Sequence, residues 1–437
     1  MSLAPILLST GFTMSVTAAI VRSCVAVRRP AELTHEQIVA SAPAELRPAV
    51  FVLADPRQTC RMLEALGLGS IDGGFPPLES YDYAPHGIDV EFLMLAGQSR
   101  KDWANDKTLD AFAHVLGVPK VTALSPAPGW IRLQLRVFDT LSAPTTMSGG
   151  HNGVDLQAVP VGITEDGDIG TIPILGTHGL CAGATGSGKG SVAYSILAGV
   201  APAIREGLVD VWCIDPKGGV EFGPAADLFV RFAYKTVEDI LALLKEAVGV
   251  MQERQANLHS AGLRKHIPTR EEPLILILLD EAAALSAYAD RDTRVKFEEL
   301  LGLLLTQARA TAMSVWAFVQ DPSKENMPQR QLFPIRIALR LDEPNQVGMV
   351  FGSGARDRGA RADEISDATP GVGYIEQDGS TALTRIRFYW VSDDTISDLV
   401  RAYAPRHEII ATEIDSTPTD LTDFDPDDLG DEGPVAA

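Results

Sequence analysis

From residue 170 onward the apolar positions follow two alternating patterns. Mainly apolar runs at 172–181, 208–214, 274–279, 314–319 and 335–341, of which 274–279 is uninterrupted, read as buried strands. Between them lie stretches with apolar residues every three or four positions, which predict helices at about 190–204, 236–258 and 293–311. Alternating strand and helix is how a mainly parallel sheet with helices on both faces is written, so the fold class is α/β. In the middle helix Thr236 to Asp239 resembles a capping box, and Ile240, Leu243, Leu244, Val248 and Met251 keep one face apolar. Those Leu and Met positions are core packing, not ligands. Two later strands at 371–376 and 384–391, and a helix capped near Asp393, complete a unit expected to span 154–406.

Upstream the pattern is mixed. Thr34 to Gln37 reads as a capping box opening a short helix, 49–53 as a strand, 106–116 as a helix and 130–137 as an alternating strand. That predicts a smaller α/β domain over 30–140, joined to the larger one by a Ser-, Thr- and Gly-rich linker at 141–153. Residues 2–21 carry no charge and are followed by Arg22, Arg28 and Arg29, the flank expected on the cytoplasmic side of a membrane helix. Their eight Ser, Thr, Gly and Pro interruptions favour a buried or frayed helix, with membrane association through 2–21 as the alternative. No cleavage site follows a basic start, which argues against a secretory signal.

Composition narrows the class. The chain has 437 residues, 46% apolar and 22% charged, enough for two or three domains. Its net charge is -21, but ten of the acids lie in residues 408–437, which contain no Lys or Arg; the segment 407–437 is expected to be a disordered tail, and -11 remains for the rest. This excludes a small basic module coating nucleic acid, yet leaves room for a local basic channel. Cys24, Cys60, Cys181 and Cys213 form no CxxC pair, which fits reduced thiols in the cytoplasm better than a disulfide framework or a zinc site.

Gly183, Ala184, Thr185, Gly186, Ser187, Gly188 and Lys189 have the spacing of a P-loop, between an apolar strand and a helix where that motif must sit. Glycines let backbone N–H groups curl around phosphate oxygens, the helix N-terminus adds partial positive charge, and the lysine ammonium bridges the outer phosphates. ATP is the expected cofactor, with Mg²⁺. The next residue is Gly190, where a Ser or Thr hydroxyl ordinarily ligates the ion. Ser191 follows about 100° further round the helix. Either Ser191, after a local shift, or a water takes that position.

The apolar run 274–279 ends in Asp280 and Glu281, a Walker B arrangement: Asp280 holds Mg²⁺ through its water shell, and Glu281 takes a proton from the attacking water. The run 314–319 ends in Gln320. A sheet ordered 5-1-4-3-2 brings this strand between the P-loop strand and the Asp280 strand, where the amide senses the γ-phosphate.

The segments HGLCAGATGSGKG, IDPKGGVEF, MQERQANLHSAGL, LLDEAAAL, QARATAMSVWAFVQDPS and FPIRIALRL, in this order and at these spacings, resemble the FtsK/SpoIIIE family of double-stranded DNA translocases. The likeness covers about residues 156–391 and is strongest to the actinobacterial conjugal-transfer branch, with which the GKGS ending is associated. It implies a RecA-like motor, assembled as a homo-oligomeric and hexameric ring with ATP sites between subunits, that threads double-stranded DNA. Asp215, Lys217 and Glu221 then belong to the family's DPK-containing segment, with no role assigned. Arg309 and Arg336 match family arginines and are candidates for a catalytic finger supplied to a neighbour, on the expectation that both lie near the carboxyl edge of the sheet. A buried ion pair is the competing reading for Arg336. The chain departs from the family in having no winged-helix segment after the motor.

Three basic clusters are candidates for DNA phosphates: Arg264 and Lys265 with Arg270, then Lys324 to Arg330, then Arg356, Arg358 and Arg361. The first two are favoured because they follow a helix end and a strand end. The third has balancing acids and reads as an intersubunit loop. The leading function is ATP-driven DNA translocation in plasmid or integrated-element transfer, or chromosome handling, in the cytoplasm or at the inner face of the cell membrane. The alternatives are a type VII secretion-like ATPase moving polypeptides and a low-turnover nucleotide switch.

Overall fold

A computed structural model describes residues 33–147, 154–286, 289–356, 358–380 and 382–405. The uncharged stretch 2–21 and the acidic segment 407–437 lie outside the described residues. Among the described residues, no helix is long and apolar enough to cross a membrane.

The chain builds two sheets. The first is antiparallel in the order β1-β2-β4-β3, from β1 (Leu78–Ala84), β2 (Gly87–Leu93), β3 (Lys120–Leu124) and β4 (Trp130–Arg136). Helices α1 (His35–Ser41), α2 (Arg47–Leu53), α3 (Pro56–Ala65) and α4 (Asp106–Leu116) accompany it, and Leu46, Val50, Leu63, Phe92, Trp103 and Phe112 lie in the common core. Thr34 caps α1 through the expected box. Residues 49–53 are the end of α2, not a strand. Ala49, Val50 and Leu53 are buried while Phe51 is exposed, a helical rather than a two-residue repeat, and Pro48 sits in the first turn where its missing N–H costs nothing.

The second sheet has ten strands in the order β6-β5-β14-β13-β12-β7-β11-β10-β8-β9. They are β5 (Val159–Thr164), β6 (Ile169–Ile172), β7 (Gly179–Ala182), β8 (Val209–Ile214), β9 (Phe229–Ala233), β10 (Leu274–Leu279), β11 (Met313–Val319), β12 (Ile335–Leu339), β13 (Val372–Glu376) and β14 (Leu383–Phe388). From β12 to β9 every pairing is parallel, and β13, β14, β5 and β6 extend the sheet antiparallel. The expected 5-1-4-3-2 order is present as β12-β7-β11-β10-β8. The run 172–181, expected as one strand, is two: Pro173 cannot donate to a ladder and Gly176 turns at φ 76°, so β6 goes to the far edge and β7 to the centre.

Five helices cover this sheet: α5 (Lys189–Arg205), α6 (Val237–Ala261), α7 (Arg291–Gln307), α8 (Pro344–Phe351) and α9 (Asp393–Tyr403). Alternation along β7 feeds both layers. Leu180 and Ala182 join the core with α6, α7 and α8, whereas Cys181 joins the core with α5 and α9.

The segment expected as a linker is partly packed. Leu141 is buried in the core of the large sheet, and the Arg387 guanidinium donates to the carbonyls of Leu141 and Ser142, each at 2.7 Å. Arg385 pairs with Asp139 at 3.0 Å. The smaller unit meets the β5–β6 turn through Arg136, which reaches Asp166 at 2.7 Å and Glu165 at 3.6 Å.

Candidate active site

Parallel strands put their carboxyl ends on one edge, and five strand ends meet there. After β7 the chain runs through Gly183–Gly188 into α5, with Lys189 as the first helical residue. Gly188 has φ 98°, and a Cβ there would collide with the backbone of Gly371, whose N–H donates to Ser187 O at 2.8 Å. That position requires glycine. Arg340, just past β12, donates to Thr185 O at 2.8 Å, and its own carbonyl accepts from Ala184 N–H at 2.8 Å. The loop is thus pinned from two sides.

Lys189 Nζ lies over the loop, donating to Gly183 O at 2.6 Å, and burial holds its pKa below the ordinary lysine value. Thr185 Oγ1 donates to Gln320 Oε1 at 3.2 Å, so the residue ending β11 touches the P-loop as the strand order requires. Asp280 and Glu281 follow β10 and are buried. Glu281 has φ 41°, a left-handed conformation that costs a non-glycine residue about 1 kcal/mol and here aims its carboxylate along the same edge.

The loop after β8 supplies what the motifs did not announce. Asp215, fully buried, accepts from the backbone N–H groups of Lys217 at 3.0 Å, Glu221 at 3.2 Å and Phe222 at 3.3 Å, and so folds 215–222 into a tight arch. Its Lys217 ammonium reaches Asp280 Oδ2 at 3.3 Å and Glu281 Oε2 at 3.1 Å. Burial works against the charge on Lys217, but the two carboxylates outweigh it and hold its pKa above the ordinary lysine value. Burial pushes the Asp280 carboxyl up, with Lys217 opposing. Glu221 stands over Gly190, and its pKa too is raised by burial and by Asp280.

Lys189, Lys217, Glu221, Asp280 and Gln320 line one cleft of about 480 Å³, with Glu281 behind Lys217 and Asp215 beneath the arch. Phosphate-binding loop, lysine and acids occupy one end; Pro370 and Trp390, the latter 52% exposed, flank the other. Ser191 lies on that second flank, its Oγ beside Gly371, while a Glu221 oxygen occupies the space next to Gly190. Among the described residues no group of three or more His, Cys, Asp or Glu side chains is close enough to be a preformed metal cage. The donor set still suits magnesium in a nucleotide site, where one or two carboxylates, phosphate oxygens and water complete the shell.

Other expected residues fall elsewhere. Arg309 lies at the amino edge of the sheet, opposite the cleft, paired with Asp378 at 2.8 Å and donating to Gly176 O at 2.9 Å. Arg336, near the start of β12, donates to Phe333 O at 3.2 Å and pairs with Glu376 at 3.7 Å. Neither lies near the carboxyl edge as expected, because the strand and 3-10 turn that carry them deliver those positions to the other end. Both charges are neutralised within the chain. Arg264 and Lys265 are exposed on the loop entering β10, also at the amino edge. Lys324 is exposed beyond β11 on the cleft edge, whereas Arg330 donates to Met349 O at 3.1 Å. The third basic cluster pairs internally, Arg356 with Asp363 and Glu364, Arg358 with Glu376.

A mainly parallel, helix-covered sheet with a P-loop, a Walker B acid pair and a polar residue on the strand between them defines a RecA-like P-loop ATPase fold. Within that class the assignment is specific: a sequence model of the FtsK/SpoIIIE family matches residues 140–361, and the chain belongs to that family. It is 26% identical over 327 residues to the transfer protein TraSA of Streptomyces ambofaciens, covering 69% of this chain and 75% of that one. It is 29% identical over 218 residues to the DNA translocase SftA of Bacillus subtilis, covering 45% of this chain but only 21% of that one. In fold it is similar to the pCW3 conjugation coupling protein TcpA with ATPgS, at a TM-score of 0.53 and 20% identity, covering 78% of this chain and 98% of that one.

Proposed function

We propose that this protein is an ATP-driven translocase of double-stranded DNA that serves conjugal transfer of a plasmid or integrated element, working as a homo-oligomeric, hexameric ring. The observation that carries the reading is the convergence of Lys189, Asp280, Lys217 and Gln320 on one cleft, with Glu281 held against Lys217 beside it, in a chain of the FtsK/SpoIIIE family. The name of TraSA, which is similar to more than two thirds of the chain, supports the setting, and that of SftA supports DNA as the moved polymer.

Each residue then has a task. The backbone N–H groups of Gly183–Ser191 wrap the phosphates, and the Lys189 ammonium leaves its loop carbonyls to bridge the outer ones. Glu281 accepts a proton from the attacking water, and Gln320, tied to Thr185, registers the terminal phosphate. Magnesium, when bound beside Asp280, supplies charge neutralisation on the phosphoryl oxygens. Arg264, Lys265 and Lys324, exposed and without ion-pair partners among the described residues, suit DNA phosphates.

The test is the ATPase rate of the full chain with and without linear duplex DNA, with Glu281→Gln as the silent control. Strong stimulation by duplex is expected. Stimulation by a polypeptide instead of DNA would move the reading to a secretion-type motor, and a flat low rate in both would leave only a nucleotide switch.

A further inference from the structure

A P-loop lysine is ordinarily followed by a residue with a hydroxyl, and here it is followed by Gly190. Backbone conformation does not demand glycine there: Gly190 is inside the first turn of α5 and is not among the residues with positive φ. Glycine in a helix costs roughly 0.5–1 kcal/mol relative to alanine, so something else must favour it. That something is Glu221. A Cβ built on Gly190 would run into Glu221 Oε1, so glycine lets the carboxylate stay where it is, whereas any larger residue would make it swing away. The carboxylate oxygen fills the space that the side chain of a serine or threonine would take.

The backbone of Glu221 is fixed at this position. Its backbone N–H is bound by the buried Asp215 carboxylate at 3.2 Å, its carbonyl accepts from Tyr194 Oη at 2.7 Å, and the next residue, Phe222, is buried in the core. Tyr194 belongs to α5, the helix that begins with Lys189, so the arch and the P-loop helix are clamped together directly behind the phosphate site. Glu221 and Asp280 both line the cleft that holds the phosphate-binding loop, so two carboxylates from different strand ends face the position a nucleotide-bound cation would take.

We propose that Glu221 replaces the P-loop hydroxyl as a protein ligand of the nucleotide-bound magnesium ion, acting with Asp280, and that Gly190 is the space made for its carboxylate. The proposal rests on the reading of the cleft as an ATP site. The arrangement exchanges a neutral ligand for an anionic one, and brings that ligand from the loop after β8 and not from the P-loop itself.

The experiment uses the full chain, a fluorescent ADP and Mn²⁺ as the spectroscopic substitute for magnesium. Nucleotide affinity is measured first in EDTA, then Mn²⁺ affinity is measured by electron paramagnetic resonance at saturating nucleotide. Glu221→Gln is expected to weaken Mn²⁺ binding by about tenfold or more without weakening metal-free nucleotide binding. Gly190→Ser combined with Glu221→Ala is expected to recover Mn²⁺ affinity to within about threefold of the parent, whereas Glu221→Ala alone does not. Unchanged Mn²⁺ affinity in Glu221→Gln, or a double variant no better than Glu221→Ala, overturns the inference while leaving the ATP site standing. A parent chain that binds no nucleotide in EDTA or with Mn²⁺ overturns both.

Discussion

Replacing Lys217 by methionine removes the cation that bridges the Walker B acids while keeping the apolar stem. Its ammonium lies 3.3 Å from Asp280 Oδ2 and 3.1 Å from Glu281 Oε2. At an effective dielectric of about 20, each contact has a gross attraction of about 5 kcal/mol. The Lys217 side chain is 42% exposed, so screening and the desolvation already spent leave a net effect of about 1–2 kcal/mol. That corresponds to a fall of about 2–8 °C in melting temperature at pH 8 in the absence of metal. The sign with pH follows from Asp280. Burial already holds its carboxyl above the usual range, and losing Lys217 lifts it further. A carboxyl raised in the folded state stabilises the fold as the pH drops through that raised value, so the deficit of Lys217→Met should narrow from pH 8 to pH 5.5. Added Mg²⁺ with nucleotide should narrow it too. Differential scanning fluorimetry of parent and variant across this grid is the assay. A deficit that is the same at both pH values and with or without Mg²⁺ would refute the argument that Lys217 neutralises these acids.

With the phosphates on the loop at one end, the cleft leaves its Pro370–Trp390 end for the adenine; Trp390→Ala should then raise the KM for ATP about fivefold or more with little change in kcat, since aromatic stacking on a base contributes roughly 1–3 kcal/mol, and an unchanged KM sinks that role. His178, buried between β7 and β11 with Nδ1 accepting from Val315 N–H at 3.0 Å, has its pKa pushed down to about 3 by burial and by Arg309. Because the folded value lies below the unfolded one, stability is complete above about pH 6.5 and declines below it, by about 2 kcal/mol at pH 5, and His178→Asn should lessen that decline in urea titrations. Arg336→Ala should cost about 1–2 kcal/mol of stability by leaving the Phe333 carbonyl without its guanidinium donor and Glu376 with Arg358 as its one remaining partner among the described residues. In the proposed ring, assembled from variant and parent subunits together, activity should fall only in proportion to the mutant fraction; a steep fall would restore Arg336 as a finger acting in trans.

Legibility in the sequence followed the range of the interactions concerned. The P-loop and the Asp280–Glu281 pair could be read because each motif is contiguous and bounded by a strand whose apolar run is unmistakable. The strand order could be read because such motifs occur at fixed places in a parallel sheet. The misread segment at 49–53 is five residues long, too short for its apolar positions to separate a helical from an alternating repeat. The two arginines were misplaced for another reason. Arg309 finds its partners 133 and 69 residues away, at Gly176 and Asp378, and no local pattern encodes that. Glu221 and Lys217 were visible only as members of a segment without a task; their chemistry depends on the arch made by Asp215, which in sequence is one acid among many.

The strap formed by residues 139–145 governs how this protein can be cut. A fragment designed to begin at the Gly-rich stretch near 150, where composition suggests a boundary, would discard the carbonyls of Leu141 and Ser142 and leave the Arg387 guanidinium, 3% exposed, with a buried charge and no acceptor from either. It would also take away Thr145 O, which receives the Trp390 N–H at 2.8 Å, and so loosen the residue flanking the nucleotide cleft. A motor fragment that keeps its ATP site intact must therefore start upstream of Asp139, and low activity in a shorter one would report a broken anchor, not a missing domain.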